Sequence, residues 1–242
     1  MFAARYVCVG LTLLTALSTA GPPLQAQEKD SAEREAAARL ARHAHLFENM
    51  TFGPPVNDRK ANPNGEIDLS GGMLVDYAVD PNAPKKTVQE LLQLLADRSS
   101  LVIRGTALRY KSNFTSSRSF LYSDWQFKVL EVFKNPDHLY VGVGDTITVT
   151  RSGGAFKWNG QTVVAHDFTF PAFRVGEEYV LFLAPITDDP TSYRASGWGS
   201  FRISDDKVHY LIDPNDRQDD LAKATSEMTA TSFIETVREG VR

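Results

Sequence analysis

Cysteine is almost missing. The 242 residues hold one, Cys8, and it lies inside the apolar N-terminal run. Removal of that run leaves no thiol, which excludes a disulfide framework, a cysteine nucleophile and a thiolate metal site. Arg5-Tyr6-Val7 precede Cys8, where a lipoprotein cysteine has small residues. Surplus charge is missing too. Lys plus Arg number 26 against 30 Asp plus Glu, a net charge of −4. That balance lacks the basic excess with which a dedicated nucleic-acid binder displaces counterions from phosphates. Glycine-rich phosphate loops are absent: Gly142-x-Gly144 and Gly153-Gly154 stand between strands and open no helix. Gly197-Trp198-Gly199-Ser200 lacks the glycine two residues after the serine that a nucleophile elbow requires.

What is present is an ordinary globular composition, 42% hydrophobic and 23% charged, so the chain as a whole is not disordered. Fourteen Phe, eight Tyr and three Trp favour strands in the core. Residues 1–26 read as a secretory signal peptide. Arg5 supplies the positive start, and the apolar run from Tyr6 to Ala20 is shorter than the about 20 residues of a membrane span. Ser18-Thr19-Ala20 and Leu24-Gln25-Ala26 both offer small residues before a cut; cleavage after Ala26 is preferred, with a mature chain from Gln27. A cysteine-free exported chain suits a secreted or periplasmic bacterial protein.

Residues 27–86 read as an N-terminal helix and irregular arm. Ala37, Leu40, Ala41, Ala44 and Phe47 form a small apolar stripe on a helix from Ser31 to about Glu48. Five of the twelve prolines then fall between Phe52 and Lys86, where only Met73–Val79 has strand character. Residues 87–242 read as a β-barrel domain with capping helices. Thr87-Val88-Gln89-Glu90 has the capping-box form. Strands are expected at Leu101–Tyr110, with a bend at Gly105, and at Ser119–Phe133, where the apolar parity switches after Val129 and predicts a β-bulge. Further strands are expected at Asp145–Arg151, on both sides of the Asn159-Gly160 hairpin turn, at Tyr179–Ala184, Ser192–Ile203 and Lys207–Ile212. Ser232-Phe233-Ile234-Glu235 predicts a final helix, after an acidic loop at Asp213–Asp220.

The succession Val102-Ile103-Arg104-Gly105-Thr106-Ala107, then Trp125-Gln126-Phe127-Lys128-Val129-Leu130-Glu131-Val132, then Val143-Gly144-Asp145-Thr146-Ile147, then Val175-Gly176-Glu177-Glu178-Tyr179-Val180 resembles exported bacterial proteins of uncharacterised function with an OB-type barrel. It is similar, more distantly, to netrin modules and tissue inhibitors of metalloproteinases. The resemblance covers residues 100 to 205. It implies a mainly β fold with flanking helices, built on an OB-like Greek-key barrel of five to six strands that serves as a binding platform. The inhibitors hold zinc through a cysteine at the mature N-terminus, and no cysteine remains here, so no inhibitory residue carries over.

The candidate chemistry is sparse. His43 and His45 on one helix point about 200° apart, which makes a polar helix surface rather than a metal site. His166, Asp167 and His209 are the components of a two-His, one-carboxylate metal site if the barrel gathers them. Asp213-x-Asn215-x-Arg217-x-Asp219 fails as a calcium loop because Arg217 and Gln218 stand where an oxygen ligand and glycine belong. Of the large aromatics, Trp125 belongs to a strongly patterned strand and to the core. Trp158 and Trp198, with Tyr193, form the expected ligand-binding face. The leading expectation is therefore an exported, non-enzymatic binding or interaction module without a cofactor. Its partner is a protein or small ligand of the envelope, not nucleic acid, and no membrane span remains after signal cleavage. The alternatives are a metal-assisted hydrolase using His166, Asp167 and His209, and a self-associating structural envelope protein.

Overall fold

Local signals become elements largely where the sequence sets them. The Thr87 hydroxyl accepts from the Glu90 amide at 3.2 Å while the Glu90 carboxylate accepts from the Thr87 amide at 2.7 Å, and this capping box opens helix α2 (Val88–Arg98). Asn159 and Gly160 both adopt positive φ, 48° and 80°, the twist that closes a tight hairpin between two strands. The computed structural model describes residues 24–48, 53–70, 87–135, 141–211 and 219–241. The fold is dominated by sheet with a few helices, 41% strand against 29% helix, the β-rich class that the aromatic content favours.

The chain divides after Ala37 into two units. The described part of the first is the beginning of helix α1 (Leu24–Glu48), which starts at Leu24 rather than at Ser31. Lys29 and Glu33 are its one i,i+4 ion pair among the described residues, exposed on both sides. The signal-peptide reading falls on residues 1–23, outside the described residues, except for Leu24–Ala26.

The second unit carries the strands. A short strand β1 (Glu66–Asp68) pairs in parallel with β6 (Gln161–Ala165), which pairs with β5 (Gly154–Trp158) through the Asn159-Gly160 turn. The larger sheet runs β10 (Lys207–Tyr210), β9 (Ser200–Ser204), β7 (Glu178–Ile186), β2 (Leu101–Phe114), β3 (Leu121–Lys134), β4 (Thr146–Ser152), β8 (Asp189–Arg194). An additional pairing joins the last strand, β8, back to the third, β7, so β7, β2, β3, β4 and β8 form a closed circuit of pairings. The β4–β8 pairing is parallel and the others in the circuit are antiparallel.

The parity switch in β3 is a true bulge: Arg104 faces Glu131 but Gly105 faces Val129, which leaves Leu130 as the extra residue. Gly105 sits at that step because a Cβ there would lie 2.9 Å from the Lys128 carbonyl. Inside the circuit, Ile103, Trp125, Phe127, Val149, Tyr179, Leu181 and Tyr193 make the main core, closed at one end by Phe170 and Phe173 from the loop after β6. Helices α2 and α4 (Ala230–Gly240) cover β7 and β9 with a second cluster that includes Leu92, Phe182, Phe201 and Phe233. A third cluster joins the end of α1, through Ala44 and Phe47, to Phe120, Tyr122 and Val163.

Three expectations need correction. The single strand at Ser192–Ile203 is two, β8 and β9, because a 3-10 turn at Gly197–Gly199 breaks it. The last helix begins at Ala230, since the Thr229 hydroxyl, not that of Ser232, caps it by accepting from the Ser232 amide at 3.2 Å. Asp219 and Asp220, expected in a loop, open helix α3 (Asp219–Ser226). Met73–Val79 and residues 212–218 of the acidic stretch lie outside the described residues.

Candidate binding cleft

The Gly-Trp-Gly turn that separates β8 from β9 is dictated by close backbone approach. A Cβ on Gly197 would lie 2.7 Å from the Leu211 carbonyl, and one on Gly199 would lie 2.8 Å from the Phe182 carbonyl. Only glycine lets the turn settle this deeply, and it holds the half-buried Trp198 indole over the end of α2. The Tyr210 hydroxyl donates to the Trp198 carbonyl at 3.2 Å, and the Ser200 hydroxyl donates to the Ser196 carbonyl at 2.7 Å. The result is a cleft of about 260 Å³ between the C-terminal turn of α2, the middle of β7 and the segment that follows β8.

Its apolar floor is Leu95, Phe182 and Ala184, with Trp198 at one side. Its rim is cationic. Arg98, in the last turn of α2, and Arg194, at the end of β8, are both exposed, and neither meets a carboxylate among the described residues. The exposed Ser196 adds a hydroxyl with no hydrogen-bond partner among them. Among the described residues, no histidine, carboxylate or thiol lines the cleft. An indole beside two guanidinium groups is suited to an anion with an apolar or ring-shaped face, held by stacking and by forked N–H donors.

The other residues singled out from the sequence are dispersed. Trp158 is half-buried at the end of β5, its ring edge-on to Phe114 at 5.8 Å. Tyr193 is fully buried in the main core and does not line the cleft; its hydroxyl donates to the Pro190 carbonyl at 3.1 Å. His166 is exposed in the loop after β6, tilted against Phe168. Asp167 accepts from the Ser152 hydroxyl and, at 2.7 Å, from that of Thr169. His209 lies in β10, opposite Arg202; partial burial, then the nearby Arg202, push its pKa down. Among the described residues no three His, Cys, Asp or Glu are arranged to hold a metal ion, so His166, Asp167 and His209 do not form the expected site.

One constellation escapes the sequence. His43, read as a polar helix surface, is completely buried, whereas His45 is exposed. His43 Nδ1 lies 2.8 Å from Asp124 Oδ1 and Nε2 lies 3.1 Å from Asp189 Oδ2. The Thr150 hydroxyl donates to the same Asp124 oxygen at 2.6 Å. An Asp–His–Thr group at these distances has the parts of a catalytic relay. Here, however, a second carboxylate occupies the other ring nitrogen, and His43 and Thr150 are both fully buried, which makes the group part of the interior. Its work is to bind α1 to β3, β4 and β8. The helical wheel gave no sign of it, because the partners lie 81 and 146 residues away in sequence. Searches against protein-family models and against curated proteins find no match for the chain.

Proposed function

We propose that the protein is an exported, non-enzymatic binding module whose Trp198 cleft takes an anionic ligand, with acidic saccharides as the fitting class. The observation that carries this reading is the pairing of Arg98 and Arg194, two guanidinium groups that meet no carboxylate among the described residues, around a half-buried indole. The described lining offers an indole and two guanidinium groups, side chains that hold a ligand by stacking and forked hydrogen bonds, which supports the binding reading. A sugar ring presents an apolar face to Trp198 and a carboxylate to the arginines, so both halves of the site are used.

In this reading the circuit β7–β2–β3–β4–β8 is an OB-type Greek-key barrel. The support is its order: a three-strand meander, a crossover, then two strands of which the last runs parallel to β4. Kinship with exported OB-type proteins, and distantly with netrin modules, goes with that topology. Export itself rests on the N-terminal apolar run, and fractionation of cells expressing the full chain tests it: the mature form belongs in the periplasm or medium.

Ligand binding is tested by titrating the protein with a uronic-acid disaccharide and with its neutral counterpart, followed by tryptophan fluorescence. The acidic sugar is expected to shift the emission saturably and the neutral one not. Replacing both arginines, R98Q with R194Q, is expected to weaken binding about tenfold or more, the scale of one or two charge-assisted hydrogen bonds. Equal response to both sugars, or none to either, overturns the reading.

A further inference from the structure

Strand β2 is bonded along its length to β3, but β7 covers its other edge only from Leu101 to Thr106. The Ala107 amide and carbonyl are then taken by Glu177 and Gly176 at 3.0 and 2.7 Å. Leu108 is a bulge, skipped in the register with β3, and beyond it the second edge of β2 has no backbone partner among the described residues. The bond from the Thr115 amide to the Phe120 carbonyl sets the antiparallel alternation. It turns the backbone groups of Asn113, Lys111 and Arg109 toward β3 and those of Phe114, Ser112 and Tyr110 outward.

A free edge of this kind is a template for another strand, and charged side chains are its usual protection. Arg109 and Lys111 serve that purpose selectively. Both are exposed, two residues apart on one face, and neither meets a carboxylate among the described residues; Arg109 Nε donates only to Gln126 at 2.8 Å. A second copy of this strand would set like charges against them, which disfavours self-pairing. An acidic strand has the complementary sign. Past Lys111 the same edge opens on an apolar groove of about 440 Å³, walled by Leu40, Ala41 and Ala44 of α1 and by Phe114 and Phe156, with Tyr122 as its floor.

We propose that an extended acidic segment of a partner protein adds to β2 at Tyr110–Phe114. Two carboxylates at alternate positions lie against Arg109 and Lys111, and an apolar residue further along the same face enters the groove beside Leu40 and Ala41. Main-chain hydrogen bonds supply affinity, and the charge pair and groove supply the selection of sequence. This surface is separate from the Trp198 cleft and does not depend on what the cleft binds.

The test uses the full chain and a blocked seven-residue peptide, Thr-Glu-Thr-Glu-Thr-Val-Thr, with a second in which both Glu are Lys. Amide NMR shifts of Tyr110, Ser112 and Phe114 report strand addition, and a double variant, R109E with K111E, exchanges the charge at exposed positions. The Glu peptide is expected to bind saturably with shifts confined to that edge, to lose about tenfold or more in affinity for the double variant, and to yield there to the Lys peptide. An unchanged thermal unfolding midpoint confirms that the variant is folded. No saturable shift with the Glu peptide overturns the proposal, and so does equal binding to the unchanged protein and the double variant. Concentration-dependent broadening of the same amides without peptide identifies a second copy as the occupant and overturns it as well.

Discussion

His43 and Asp189 are 146 residues apart in sequence and 3.1 Å apart in space, Nε2 to Oδ2, on a ring that is wholly buried. With Asp124 at the other nitrogen, the imidazole stands between two carboxylates that only accept hydrogen bonds when ionised. It thereby bridges the two carboxyl groups by hydrogen bonds at both ring nitrogens, and it fixes the register of α1 against β3 and β8. Phe47 stacks on Tyr122 at 5.7 Å, and the Tyr122 hydroxyl donates to the Leu40 carbonyl at 2.9 Å, so the helix is held at three successive turns.

Replacing His43 by Ala removes the shared donor and leaves both carboxylates facing each other across a cavity. The expected loss is about 1–3 kcal/mol, the cost of leaving buried hydrogen-bonding groups without their partner. Urea unfolding measures it. A loss under about 1 kcal/mol would mean that water replaces the ring and that the network does not hold the helix.

Asp189 makes this network sensitive to acid. Burial pushes its carboxyl up, but the Ser192 and Thr191 hydroxyls and the His43 ring together outweigh that and hold it below the ordinary value of 3.8. A carboxyl depressed in the folded state contributes stability that is complete above its unfolded pKa and is lost as pH falls through the folded one. The Asp189 contribution is therefore constant above about pH 5 and disappears below the ordinary carboxyl range. Asp189→Asn is expected to be less stable at pH 7 and to lose less on going from pH 5 to pH 2.5. Parallel profiles for the two proteins would assign the acid sensitivity to other groups.

The parts of this fold that were legible are those set by neighbours in sequence. The capping box at Thr87, the positive-φ pair Asn159-Gly160 and the bulge at Leu130 each follow from a few adjacent residues. The cleft was half legible: Gly197-Trp198-Gly199 announced a tight turn, but Arg98 comes from a helix about a hundred residues earlier and no local pattern joins the two. The start of α4 was misplaced because Thr229 and Ser232 are equally good caps, and the choice falls to Thr229, whose strand-like backbone pairs with Lys207. His43 was missed for a plainer reason. Hydrogen bonding to two distant carboxylates leaves no mark on the helix that carries the histidine.

The glycines of the cleft turn are steric requirements rather than conformational ones. A methyl at residue 199 meets the Phe182 carbonyl oxygen at 2.8 Å and the Phe182 Cβ at 2.9 Å, within the tightly packed face of β7. Gly199→Ala is expected to cost about 1–3 kcal/mol, the range for overpacking. The shift of the turn is expected to change Trp198 emission as well. A fully stable variant with unchanged fluorescence would show that β7 and the turn separate easily.

Arg151 is the most deeply placed charge of the core. It is fully buried; Nη1 donates to the Pro171 carbonyl at 2.8 Å and Nη2 to that of Phe170, while the guanidinium lies 4.1 Å over the Phe170 ring. The fork thus ties β4 to the loop whose Phe170 and Phe173 close the end of the core. Burial pushes the Arg151 pKa down from 12.5 to about 10, opposed by the neighbouring Asp167, and the group stays charged at neutral pH. Lysine at this position keeps the charge but has no fork, so one of the two carbonyls loses its donor, at a cost of about 1–3 kcal/mol. The same burial acts on an ammonium whose ordinary pKa is about 10.4, and drives it down into an accessible range. A base depressed in the folded state binds fewer protons there than in the unfolded chain, so stability rises with pH across the interval between the two pKa values. Arg151→Lys is accordingly expected to be less stable at pH 7 and to recover part of the deficit by pH 9.5, with the unchanged protein showing no such gain. Denaturant unfolding at the two pH values measures it. A deficit that stays constant would mean that the ammonium escapes to solvent, and that the loop carrying Phe170 and Phe173 is not closed over Arg151.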